Sequence, residues 1–166
     1  MQRITLTHEI NCTVDQFWET FFDRDLSERM FKETLGFSEF RILEQSETEG
    51  AIIRKIAARP KLDLPAALGS VVGSNFGYTE EGSFDKAAKE WRWKMFPSAL
   101  SGKLRHEGTL RAAAIGSSGH VKRILELVIE AKVFGIGGLI ESTFEKLLRD
   151  NWDKSAVATN KWLVSP

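Results

Sequence analysis

Few side chains in this sequence have an obvious capacity for chemistry. There are three histidines, one cysteine and one tyrosine. An imidazole can orient a ligand or move a proton near neutral pH. His8, His106 and His120 lie far apart in the chain, and no HxH, HxxxH or Cys/His cluster occurs. The spacing of metal ligands is therefore missing, and no metal is expected. Cys12 reads as a small buried hydrophobe rather than a nucleophile. A lone thiol makes no internal disulfide, which fits a reducing compartment. The GIGG at positions 135–138 lacks the strand–turn–helix context of a dinucleotide site and the lysine of a P-loop, so no cofactor is expected. No G-x-S-x-G elbow supports a serine triad. Tyr78, in GYTEEG, can donate a hydrogen bond to a ligand carbonyl or cap a strand edge.

These residues sit in segments whose periodicity predicts where they point. Residues 3–11 alternate, with Ile4, Leu6, His8 and Ile10 on one face, as in a half-buried strand. Thr13 and Gln16 have capping-box spacing, and Val14, Phe17, Trp18, Phe21 and Phe22 follow at helical intervals. Asp25 and Glu28 predict a second short helix, carrying Met30, Phe31 and Leu35 and stopped by Gly36. Residues 37–47 and 51–58 read as a hairpin around Glu49-Gly50. Residues 60–73 read as a loop with a helical turn at 66–72. Four more runs, 76–84, 87–96, 104–115 and 121–132, are separated by short Gly, Ser or Asp segments, as in an antiparallel meander. Residues 136–163 then carry an apolar stripe through Ile136, Leu139, Ile140, Phe144, Leu147, Leu148, Trp152 and, later, Trp162. Glu141, Glu145, Lys146, Arg149, Asp150, Asp153 and Lys154 read as the solvated side of this helix, which would be roughly 42 Å long.

Strand parity sorts the interior candidates. Trp91, Trp93 and Met95 share a face, opposite Glu90, Arg92 and Lys94. Phe76 and Tyr78 share another, which Glu80 joins if parity holds. Leu104, His106, Gly108 and Leu110 form a third, and Leu125, Leu127 and Ile129 a fourth. Arg123 falls on that last face, where it reaches either a cavity mouth or solvent. Gly108, Gly135, Gly137 and Gly138 leave room for a ligand or serve as bulges and a hinge.

Composition bounds the function. The 166 residues are 42% apolar and 28% charged, an ordinary globular balance with enough apolar surface to oppose disorder. Lys plus Arg and Asp plus Glu are 23 each, which argues against a nucleic-acid binder. No run reaches the ~18 apolar residues of a membrane span. The N-terminal segment lacks a signal-peptide core, so a cytoplasmic protein without integral membrane association is expected. No repeat or linker divides the chain, and residues 1–166 read as one domain.

The order strand, two short helices, six strands, long helix predicts an α+β fold. A seven-stranded curved antiparallel sheet would wrap around the C-terminal helix. The opening strand running into TVDQFWETFF, and the closing VFGIGGLIESTFEKLLRDNW, resemble the helix-grip superfamily. That superfamily includes the START lipid-transfer domains, the birch-pollen-allergen-like proteins and the polyketide cyclases. The closing segment looks like an uncharacterised bacterial branch of it. The resemblance implies a deep, mostly apolar cavity between sheet and helix. Three functional readings follow. The first is binding or carriage of a small hydrophobic ligand such as a lipid, sterol or polyketide. Phe76, Trp91, Trp93, Leu125, Leu127, Ile140 and Phe144 would form its wall, and His8, Tyr78 and His106 would fix its polar groups. The second is a cyclase or dehydratase using a cavity histidine. The third is a protein-interaction module acting through the helix exterior or the 60–73 loop, so a protein partner stays open.

Overall fold

A computed structural model describes residues 1–164. Seven strands form one antiparallel sheet in the order β1-β7-β6-β5-β4-β3-β2. Strand β1 (Gln2–Ile10) enters α1 (Val14–Phe22) through the expected capping box. The Thr13 hydroxyl accepts the Gln16 N–H at 3.3 Å, and the Gln16 amide oxygen accepts the Thr13 N–H at 3.0 Å. The short helix α2 (Arg24–Arg29) starts earlier than the Asp25 signal predicts. Asp23 ends α1 and its carboxylate accepts the Leu26 N–H at 2.9 Å, so one residue serves both helices. A π-helical turn, Met30–Thr34, leads to β2 (Glu39–Glu47) and β3 (Ala51–Arg59).

The helix α3 (Ala66–Val72) lies within the expected 60–73 segment. It precedes β4 (Tyr78–Asp85), β5 (Glu90–Pro97), β6 (Leu104–Ala114) and β7 (Val121–Ala131). Strand β5 begins three residues later than its apolar pattern suggests. The Asp85 carboxylate accepts the N–H groups of Ala87 and Ala88, and so holds those residues in a turn. The long helix α4 (Gly137–Val164) closes the chain and packs on β1 and β7. Helices α1 and α2 cover the other end of the same concave face. This is the helix-grip arrangement.

Two positions on α4 depart from the sequence reading. Glu141, expected on the solvated side, is buried and accepts the Ala131 N–H at 3.0 Å. Ala131 ends β7, and the first turn of α4 folds back over that end. The strand's last donor is thereby removed from water and needs an acceptor. Leu139, expected in the apolar stripe, is exposed. Among the described residues, no helix is long and apolar enough to cross a membrane.

Candidate functional site

Pairing register fixes which side chains share the concave face. One row runs Ile56, Glu80, Met95, His106, Ile129 from β3 to β7. The neighbouring row runs Arg54, Gly82, Trp93, Gly108, Leu127. A further row brings Phe84, Trp91, Leu110 and Leu125 together. Two glycines in the second row matter for packing. A Cβ on Gly82 would overlap the Trp91 indole, and one on Gly108 would lie 2.7 Å from Trp93 ring carbons and from the Glu126 carbonyl. Gly108 therefore makes room for the protein's own indole, not for a ligand.

One part of the concavity is filled. Trp18 packs on Phe84 with ring centroids 4.3 Å apart, and Phe21 and Phe22 each meet Trp91 at 5.6 Å. These contacts explain why Trp91 is only 2% exposed. Beside this cluster, between the sheet, α1–α2 and α4, remains a cavity of about 200 Å³. Half-buried Met30, Phe31, Leu62 and Leu147 contribute to its lining. Of the ten side chains expected at a site, Phe76, Tyr78, Trp91, Trp93, His106 and Phe144 line this cavity.

The other four are elsewhere. Leu125, Leu127 and Ile140 are 0–1% exposed and belong to the packed seam between the sheet and α4. They face inward as strand parity and the helical stripe predict, but α4 lies on β7 there and leaves no gap. His8 is also inward but is committed to a relay. Its Nδ1 accepts from the Arg123 guanidinium at 3.1 Å, and its Nε2–H donates to Asp153 at 2.7 Å. Burial, opposed by the Asp153 contact, holds its pKa below 6.5, consistent with the neutral form that this relay needs.

The cavity is more polar than the sequence suggested. Arg54, 5% exposed, donates to the Phe21 carbonyl at 2.9 Å and lies over the Phe21 ring at 4.6 Å. Burial pushes its pKa down to about 10, which still leaves it charged at neutral pH. Glu80, in the adjacent row, lines the cavity without a hydrogen-bond partner among the described residues. Burial pushes its carboxyl up to about 7, although the Arg54 charge pulls the other way. Burial, and then the Glu80 charge, raises the Tyr78 hydroxyl well above its usual range. His106 donates from Nδ1 to the Val128 carbonyl at 3.1 Å, which leaves Nε2 as the ring's acceptor. Its burial lowers the imidazole pKa.

Arg123, whose direction the sequence left open, is 4% exposed and lines the cavity. Its guanidinium donates to Ser155 Oγ at 3.0 Å and to the Trp152 carbonyl at 2.8 Å. Arg54 is the residue that sequence reasoning missed. Its signal was present: in AIIRKIAAR it shares parity with Ile52, Ile56 and Ala58. Among the described residues, no group of three His, Cys, Asp or Glu side chains could hold a metal ion.

Comparison with solved structures places this architecture among known folds. An aromatase/cyclase, Zhui, from Streptomyces sp. R1128 superposes with a TM-score of 0.68 at 14% identity, covering 96% of this chain and 92% of that one. A START superfamily protein from Mycobacterium smegmatis gives 0.65 at 10% identity, covering 97% and 98%. Norcoclaurine synthase from Thalictrum flavum gives 0.63 at 13% identity, covering 99% and 87%. Identities this low carry the fold alone, and at that level the resemblance to the helix-grip superfamily holds. A comparison with curated proteins finds no match. A family model does match, over residues 5–163, and the chain thus belongs to the family described as "Protein of unknown function (DUF2505)".

Proposed function

We propose that the protein binds or carries a small, largely apolar molecule in the cavity between the sheet and α4. The observation that carries this reading is unfilled space of about 200 Å³ that retains Arg54, Glu80, His106 and Arg123 among apolar walls. Interiors are normally close-packed, and buried ionisable groups are normally paired. Space left beside under-partnered polar groups is how small-molecule sites are built. Phe76, Trp93 and Phe144 supply wall, and Tyr78 and His106 supply points for a hydroxyl or carbonyl. The test is intrinsic tryptophan fluorescence titrated with fatty acids, sterols and aromatic polyketides. The expected result is a saturable change with at least one class. The absence of a saturable response to every class removes the proposal.

A second reading, proton transfer of the cyclase or dehydratase type, draws support from one feature. Glu80 and His106 occupy the same row two strands apart, roughly 10 Å between backbones, with the cavity beside both. A carboxyl held near neutrality and a neutral imidazole with an open acceptor suit an acid and a base. In this reading, His106→Gln abolishes turnover of a bound polyketide while leaving its binding intact. Equal loss of both counts against it.

A further inference from the structure

Charge inside the cavity is unbalanced, and the imbalance specifies a ligand. The titratable or charged side chains lining it are Arg54, Tyr78, Glu80, His106 and Arg123. All five come from the sheet. The lining residues of α1, α2 and the π-helical turn, such as Phe21, Ser27 and Met30, carry no titratable group. Those of α4, such as Leu147, Asn151 and Ser155, carry none either. The two guanidiniums are not equally provided for. Arg123 Nε is buried without a partner, as is that of Arg54, but both Arg123 terminal nitrogens reach oxygen acceptors, and the His8 relay ties it to the Asp153 carboxylate.

Arg54 uses one nitrogen, Nη1, on the Phe21 carbonyl and more distantly on Ser27 Oγ. Its Nε is buried without a partner, and no acceptor among the described residues meets its Nη2. Glu80 is the one carboxyl in the cavity, and it forms no ion pair with Arg54 within 4.0 Å. A buried cation with one terminal nitrogen unpartnered and no ion pair is costly, so a ligand that supplies both contacts binds tightly there.

We propose, building on the ligand-binding reading above, that the ligand is an apolar anion whose carboxylate or comparable oxyanion is received by Arg54 at the Glu80 end of the cavity. The guanidinium offers its unused Nη2 N–H groups to the oxyanion, and Phe21, Phe22 and Trp91 already hold it in place from its faces. The apolar body of the ligand extends towards Phe76 and Phe144. Glu80 then acts as an internal competitor. When protonated it leaves Arg54 to the ligand. When ionised it neutralises Arg54 and repels the incoming anion. Binding therefore takes up a proton near neutral pH. Glu80 is the group that titrates there, because burial lowers His106, raises Tyr78 and leaves both arginines charged.

The experiment compares two fluorescent probes that differ by one sulfonate, 8-anilinonaphthalene-1-sulfonate and N-phenyl-1-naphthylamine. Each is titrated into the full chain from pH 6 to 8.5. The sulfonate stays ionised throughout, so any pH dependence belongs to the protein. The expected result is a preference of about tenfold or more for the sulfonate at pH 6.5, as a charge-assisted hydrogen bond provides. Above pH 7 its affinity falls by up to about tenfold per pH unit, the limit for uptake of one proton. Arg54→Met removes the preference, and Glu80→Gln removes the pH dependence while keeping the preference. If the neutral probe binds as tightly as the sulfonate, or if sulfonate affinity is flat across pH, the anion inference is wrong and ligand binding stands. If neither probe binds, both the inference and the reading it rests on fail. Should Arg54→Met not fold, the wild-type and Glu80→Gln pH profiles decide the matter alone.

Discussion

Replacing Glu80 by glutamine should stabilise the protein, and only above a definite pH. Burial carries the Glu80 carboxyl from 4.5 to about 7 in the folded protein. Between those values the folded state holds a proton that the unfolded state has released, so wild-type stability falls as pH rises through that window. At about 1.4 kcal/mol per pH unit, the full displacement amounts to roughly 3 kcal/mol. Glu80 is partly accessible through the cavity, so roughly 1–3 kcal/mol is expected in practice. Glutamine keeps the shape and the carbonyl acceptor but never ionises. The variant and the wild type should therefore be nearly equal in stability at pH 4.5. The variant should gain from there to pH 7 and hold a constant advantage above it. Urea denaturation at half-unit steps from pH 4.5 to 8.5 reads the difference directly, and other titrating groups cancel in it. A difference that is independent of pH, or largest at low pH, would refute the placement of this carboxyl in a poorly solvated cavity.

Other perturbations address separate parts of the structure. Gly82→Ala should cost about 1–3 kcal/mol, because the new methyl displaces the Trp91 indole from its seat; unchanged urea midpoint and near-ultraviolet circular dichroism would contradict that packing. Glu141→Ala should cost about 1–3 kcal/mol by leaving the buried Ala131 N–H without its acceptor, and a loss below experimental error in urea denaturation would show that water replaces the carboxylate. His8 and His106 should both titrate with NMR midpoints below 6.5, since burial leads the shift in each. Each then contributes stability that is complete above pH 6.5 and is lost as pH falls towards its folded value. A midpoint above 6.5 for His8 would mean that the Asp153 contact outweighs burial.

The sequence made the fold legible because its signals were redundant. The capping box at Thr13, the alternation of the strands and the long C-terminal apolar stripe each agree with one architecture. Parity also placed Tyr78, Trp91, Trp93 and His106 on the concave face, where they line the cavity. Parity says which face a residue occupies and nothing about where along that face the helices leave a gap. Leu125, Leu127 and Ile140 point inward yet lie where α4 is seated on the sheet. His8 is diverted by Arg123 and Asp153, partners 115 and 145 residues away in sequence. Arg54 and Glu80 were harder to read. A charged residue at an inward position resembles a break in the apolar pattern, and what makes it informative is the space beside it, which only the packed structure reveals.

A guest in the space beside Arg54 and Glu80 adds its mass to that of the chain. Native mass spectrometry of the freshly purified protein, repeated after incubation with fatty acids, sterols and aromatic polyketides, tests this most directly. A one-to-one complex with a small molecule is expected in at least one of these spectra. Bare protein in every spectrum would contradict it.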